Sequence, residues 1–187
     1  MLFYADMTRT LHLIKHGKPF IIPGVPGHEW QLASDALDHL PELLEKLQPK
    51  PQLVVCSMEP KAQATALALA EALGLPFRPM LGLHEHLRYT NEYTSTEEFQ
   101  ARFQRFFAAP DLVVVGEESA RDALTRFRNA VKAVMQANAQ ENVAIVSHGT
   151  VISLLVAEAN GLDPFPLWQS LKLLNAVSVE WPTLKLL

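Results

Sequence analysis

Four short stretches of this 187-residue chain carry groups able to do chemistry: Lys15-His16-Gly17, Ser57 with Lys61, His84-Glu85-His86, and Ser147-His148-Gly149. Brought to one place, His16, His148, Lys15, Lys61 and Glu85 would supply two imidazoles, two ammonium groups and a carboxyl. Cations neutralise phosphate oxygens, an imidazole can attack phosphorus, and a carboxylic acid can protonate the oxygen that leaves. The inventory points to phosphoryl transfer. The chain has no Gly-rich loop of the Walker type, so any phosphate must be held by these side chains and nearby backbone. Gly17 and Gly149 let backbone approach an anion closely. Helices beginning after Pro60 and Gly149 would aim their first N–H groups at it.

Such groups need a scaffold that ends several strands at one edge. Residues 11–16 read as a strand running into a Pro- and Gly-rich loop over 18–27. Helical spacing of Ala36, Leu37, Leu40, Leu43, Leu44 and Leu47 predicts a helix capped by Ser34 and stopped by Pro49 and Pro51. Residues 53–56 form a continuous buried strand ending at Ser57, and 61–73 a helix stopped by Gly74 and Pro76. A third strand is expected over 77–83. The stretch 85–118, with a helix at 95–107 rich in phenylalanine, is expected to be an inserted cap. A helix over 119–138, a strand over 143–146 and a helix over 151–160 follow, and a last strand over 175–181 turns at Pro182 into 184–187. Strands alternating with helices imply an α/β fold, three layers α/β/α around a mostly parallel sheet, in one domain spanning 1–187. In such sheets ligands bind beyond the carboxyl ends of the strands, where these polar groups fall.

Composition narrows the partners. At 49% hydrophobic and 19% charged residues, the chain can bury a core and is not predominantly disordered. Sixteen Lys+Arg against twenty Asp+Glu give a net charge of −4, which leaves no bulk positive field for nucleic acid or anionic lipid. The expected partner is a small phosphorylated molecule, with neither nucleic acid nor membrane, and self-association is left open. The single cysteine, Cys56, excludes an internal disulfide and any Cys-rich metal site; it suits a reducing compartment, so a cytoplasmic location is expected. No secretory signal is read at residues 1–5.

The motifs L-H-L-I-K-H-G at 11–17, S-M-E-P-K-A-Q-A-T-A at 57–66, L-H-E at 83–85 and V-A-I-V-S-H-G-T-V-I at 143–152 resemble the histidine phosphatase superfamily, the phosphoglycerate mutase-like proteins. Weaker similarity extends to 26–34 and 116–123. The resemblance implies a phosphatase needing no cofactor and no metal, with His16 the phosphorylated nucleophile, Glu85 the proton donor and His148 a second pocket histidine. Gly17 and Gly149 are expected to take part in binding the substrate's phosphate. Lys15 and Lys61 stand at the two positions where the family has phosphate-clamping arginines. That departure matters, because arginine offers a planar fork to two oxygens whereas lysine is a flexible, strongly hydrated point charge. It also motivates a rival, a phosphate-binding or regulatory module that has lost turnover.

Other readings of the residues stay open at this level. Glu92, Glu117 or Glu118 could stand in for Glu85. His84 and His86, with His12 or His28, could form a metal site. His12 is expected to be a hydrogen-bonded interior residue, His39 a surface residue within a helix, and Cys56 part of the core. Trp30 is expected to anchor the loop wall, and Phe99, Phe103, Phe106 and Phe107 to pack the cap.

Overall fold

The computed structural model describes residues 9–89, 95–138 and 142–187. Residues 1–5 and Glu92, which entered the reading above, lie outside the described residues. The elements run β1 (Arg9–Lys15), α1 (Leu40–Lys46), β2 (Leu53–Ser57), α2 (Pro60–Leu73), β3 (Phe77–Met80), α3 (Thr96–Ala108), α4 (Ala120–Ala137), β4 (Asn142–Ser147), α5 (Gly149–Asn160), α6 (Pro164–Ser170), β5 (Asn175–Trp181) and β6 (Lys185–Leu186). The sheet order is β3-β2-β4-β1-β5-β6, with β1 to β4 mutually parallel and β5 and β6 antiparallel. The α/β fold with a mostly parallel sheet is therefore the one expected.

Period-two alternation sorts the central strands onto two faces. Leu11, Leu13, Leu53, Val55, Val143 and Ile145 face α3, α4 and α5. Ile14, Val54, Cys56, Ala144 and Val146 face α1 and α2. Both faces are covered, which is why these strands read as continuous apolar runs. His12 is fully buried on the second face: its Nε2–H donates to the Pro49 carbonyl at 2.8 Å and its Nδ1 accepts from the Ser178 hydroxyl at 2.7 Å. Burial without a compensating charge pushes the Cys56 thiol up to about 12, so it stays protonated.

Three elements differ from expectation. The helix anticipated from Ser34 begins only at Leu40, and residues 34–39 form successive turns closed by bonds such as Leu40 N–H to the Leu37 carbonyl, 2.9 Å. Pro41 is the cause. It has no N–H to return to Leu37, and its ring clashes with a carbonyl one turn back, so it sits only in a first turn. His39 consequently precedes α1 and remains exposed. The third strand stops at Met80, before Gly82 turns the chain at φ +85°. Finally, α6 was not anticipated. Its Trp168 stacks on Phe103 of α3, ring centroids 5.0 Å apart and planes within 4°, so the phenylalanine cluster packs against α6 as well as internally.

Candidate active site

Because β4 lies between β1 and β2, their three carboxyl ends are adjacent at the point where the strand order reverses. Lys15 closes β1, Ser57 closes β2 and Ser147 closes β4, so His16, Lys61 and His148 emerge side by side. The two imidazole rings stand 5.1 Å apart, edge to face. Lys15, Glu85 and Gly149 line the same cavity, which has a volume of about 650 Å³.

His16 is fixed from several sides. Its backbone N–H donates to Ser147 and its carbonyl accepts from Leu174, while its Nδ1–H donates to the Gly17 carbonyl at 2.6 Å. That bond places the proton on Nδ1 and leaves the Nε2 lone pair free. Gly17 donates its own N–H to Thr65 Oγ1 at 3.0 Å, and Thr65 donates to the Lys61 carbonyl. The T of the second motif thus holds the G of the first. A Cβ at Gly17 would stand 2.8 Å from the Ala36 carbonyl oxygen, so no larger residue fits without displacement.

His148 is fully buried. Its Nε2 meets Ser57 Oγ at 2.8 Å and lies 3.4 Å from a Glu59 oxygen, whereas its Nδ1 has no partner among the described residues. Burial, then the neighbouring His16 and Lys61, holds its pKa well below the ordinary value. Burial first and Lys61 second push His16 down to about 4. Both rings are neutral at neutral pH, as a nucleophile requires.

Glu85 sits on the loop after β3. Burial alone would raise its pKa, but Arg88, His148 and the His86 N–H outweigh that and bring it down to about 2. Its oxygens accept from the N–H of His86 at 2.8 Å and of Thr150, in the first turn of α5, at 3.2 Å. The helix N-terminus expected to face an anion thus already holds a carboxylate. Arg126 of α4 clamps this loop by donating to the carbonyls of Gly82, His84 and Glu85, at 2.9 to 3.1 Å, and it is itself held by Glu118 at 2.5 Å. Ser147 donates to the Leu83 carbonyl at 2.7 Å and ties the loop to β4. Glu118 also accepts from Leu87, and Glu117 from Tyr89. These two carboxylates are engaged in supporting the loop.

The ammonium groups are less free than their sequence positions imply. Lys15 donates to the Leu171 carbonyl at 2.8 Å and packs under Gly149, where a Cβ would stand 3.1 Å from its Cε. Burial lowers its pKa, with Glu85 opposing. Lys61 is paired at 2.5 Å with Glu59 and donates to the Gly27 carbonyl at 2.6 Å. Glu59 is a member that sequence reasoning missed: it also accepts the Glu85 N–H at 2.8 Å. Arg88, likewise missed, lines the cavity 3.8 Å from Glu85 with its guanidinium 4.9 Å above the Phe103 ring. The signals were present in the S-M-E-P-K and E-H-L-R spacings, two and three residues from recognised members. The H-x-H reading finds little here. His86 donates to the Glu118 carbonyl and packs on Phe106, and no group of three ligating side chains is found among the described residues.

Burial of so many histidines has a measurable consequence for stability. His12, His16, His84, His86 and His148 all have lowered pKa values, chiefly through burial. The unfolded chain therefore binds more protons than the folded protein below about pH 6.5, and stability falls as pH falls. For His16 the window runs from 6.5 down to about 4 and amounts to up to about 3 kcal/mol. Glu85, depressed from 4.5 to about 2, extends the loss below that window. The urea midpoint is expected to drop steadily from pH 7 to pH 4. A flat midpoint across that range would mean that the histidines are not buried in their neutral forms.

The sequence pattern of the histidine phosphatase superfamily (branch 1) matches residues 26–181. That match begins after Lys15-His16-Gly17. No curated protein matches the chain. Among solved structures, a mycobacterial glucosyl-3-phosphoglycerate phosphatase shares 22% identity, covering 92% of this chain and 89% of its own, with a TM-score of 0.71. Bacillus stearothermophilus YhfR shares 21% identity over 95% and 94% of the two chains, TM-score 0.73. The α-ribazole phosphatase of Shigella flexneri shares 21% over 91% and 89%, TM-score 0.66. Among the described residues, no helix is long and apolar enough to cross a membrane.

Proposed function

The chain belongs to the histidine phosphatase superfamily, branch 1, and from that premise we propose that it hydrolyses a small phosphomonoester through a phosphohistidine at His16, with protein side chains alone. The observation that carries the reading is the pair of neutral imidazoles 5.1 Å apart, one with its Nε2 lone pair free, beside a buried carboxylate and three cations.

In this reading His16 Nε2 attacks phosphorus as the ester oxygen departs, so one P–N bond forms and one P–O bond breaks. Glu85 gives its proton to that oxygen. A water then attacks the phosphohistidine, losing a proton to the Glu85 carboxylate; the P–N bond breaks, and inorganic phosphate leaves. Glu85 is ionised in the empty site. An arriving phosphate dianion adds negative charge beside it and competes for Arg88, and both effects raise its affinity for a proton. With His148 Nε2 accepting from the Ser57 hydroxyl, its unpartnered Nδ1–H would donate to a phosphate oxygen, with Lys15, Lys61 and Arg88 spreading over the others.

The direct test is incubation with a panel of phosphomonoesters, reading free phosphate and acid-labile phosphoprotein with and without chelator. Both signals are expected, unaffected by chelator. Activity that vanishes with chelator and returns with zinc or manganese would replace this mechanism with metal-dependent hydrolysis. A second reading, a phosphate-binding module without turnover, draws support from Lys61, whose charge Glu59 already balances. It predicts phosphate binding with neither signal.

A further inference from the structure

The reacting groups occupy only the floor of the cavity, and its upper wall has a different character. Ile21, Ile22, Val25 and Trp30 line one side, from the loop after β1; Tyr89 and Phe99 line the other. Ile21 is 48%, Ile22 38% and Tyr89 49% exposed, so large apolar side chains are presented to solvent at the rim of a polar floor. Single exposed apolar residues are ordinary, but a contiguous concave set marks a binding surface. The wall is also braced. Trp30 Nε1–H donates to the Val25 carbonyl at 2.9 Å, Phe20 N–H to Gln31 at 2.8 Å, and Lys61 holds the Gly27 carbonyl. His28 from the loop meets the Tyr89 ring edge-on at 4.4 Å, joining the two sides.

Charge decides what this wall accepts. On the floor, Lys15, Lys61 and Arg88 stand against Glu59 and Glu85, one net positive charge, rising to two when Glu85 carries its proton. That matches one phosphate dianion. Among the described residues, Arg102 is the other charged group lining the cavity, and Glu98 already holds it at 2.5 Å. The residues outside the described set, 1–8, 90–94 and 139–141, contain neither lysine nor arginine. Among the described residues, no unpaired cation lines the cavity above the floor to meet a second anionic group. A volume of about 650 Å³ leaves room for a group much larger than phosphate.

We propose that the substrate is a phosphomonoester of an apolar alcohol of at least aromatic-ring size, carrying no anionic group besides its phosphate, with the alcohol seated against Ile21, Ile22, Val25, Trp30, Tyr89 and Phe99. This rests on the phosphatase reading above and adds the identity of the leaving group.

The test compares 1-naphthyl, phenyl and 4-carboxyphenyl phosphate, whose phenols are of similar acidity, so that intrinsic cleavage differs little. kcat/KM and, separately, calorimetric binding to the His16→Ala protein are measured. Naphthyl phosphate is expected to exceed carboxyphenyl phosphate by about tenfold or more, mainly in KM, with the same ranking in binding. Ile21→Lys, at a half-exposed position, is expected to narrow or reverse that gap. Turnover with equal kcat/KM for the naphthyl and carboxyphenyl esters would overturn this inference and leave the phosphatase reading standing. The expected ranking in binding, with no turnover of any ester by the natural protein, would overturn the phosphatase reading and leave the apolar wall supported.

Discussion

His16→Ala is expected to lower kcat/KM by at least about 10⁴-fold and to remove the acid-labile phosphoprotein, the scale of loss seen when a nucleophile is deleted. The choice of His16 over His148 follows from their nitrogens. His16 commits its Nδ1–H to Gly17 and keeps its Nε2 lone pair free, whereas His148, with Nε2 accepting from the Ser57 hydroxyl, carries its proton on Nδ1, has no lone pair to attack with, and is more deeply buried. The variant keeps its fold, because the bonds that seat residue 16, to Ser147 and Leu174, are made by its backbone. Phosphate binding should persist through Lys15, Lys61 and Arg88. Circular dichroism and calorimetric titration check both points. Phosphoprotein of undiminished yield in His16→Ala would transfer the nucleophile to another residue, His148 first.

The second large effect is selective. Glu85→Gln keeps the shape and an acceptor oxygen for the His86 or Thr150 N–H but has no proton to transfer. On alkyl phosphates, whose alkoxide leaves poorly, the loss is expected to reach about 10²- to 10⁴-fold, the range general acid catalysis contributes. Aryl phosphates with acidic phenols need no such help and should fall by less than about tenfold. A plot of log kcat/KM against leaving-group acidity should therefore be steeper in the variant than in the natural protein. Equal losses on alkyl and aryl esters would remove Glu85 from the role of acid and point to a structural part, holding the first turn of α5 and the loop after β3 together.

Much of this molecule was legible from adjacent residues. Strands 53–56 and 143–146 announced themselves because a strand covered on both faces must be apolar throughout, and the polar groups that ended them stood out against that background. Once the sheet is parallel, carboxyl ends share one edge, so His16, Lys61 and His148 had to lie along that edge; the strand order, with β4 between β1 and β2, made them neighbours. Gly74 ends α2 in the left-handed conformation, and Ser119 caps α4 through its hydroxyl. These are local rules, obeyed wherever the chain goes. Pro41 obeyed one as well, although the apolar spacing of 36–47 concealed it.

What the sequence alone could not decide was the company each charge keeps. Glu59 and Arg88 look like ordinary solvated residues until the fold sets one between Lys61 and the Glu85 N–H and the other against the Glu85 carboxylate. Arg126, on α4, holds the carbonyls of a loop more than forty positions away, at Gly82, His84 and Glu85. Lys61 is a cation in the motif, but in the folded site its charge is balanced at 2.5 Å. Backbone preference and apolar periodicity act between near neighbours in the chain and so can be read along it. Charge pairing falls off with distance in space, rises in strength with burial, and carries no mark in sequence of which groups tertiary packing will bring together.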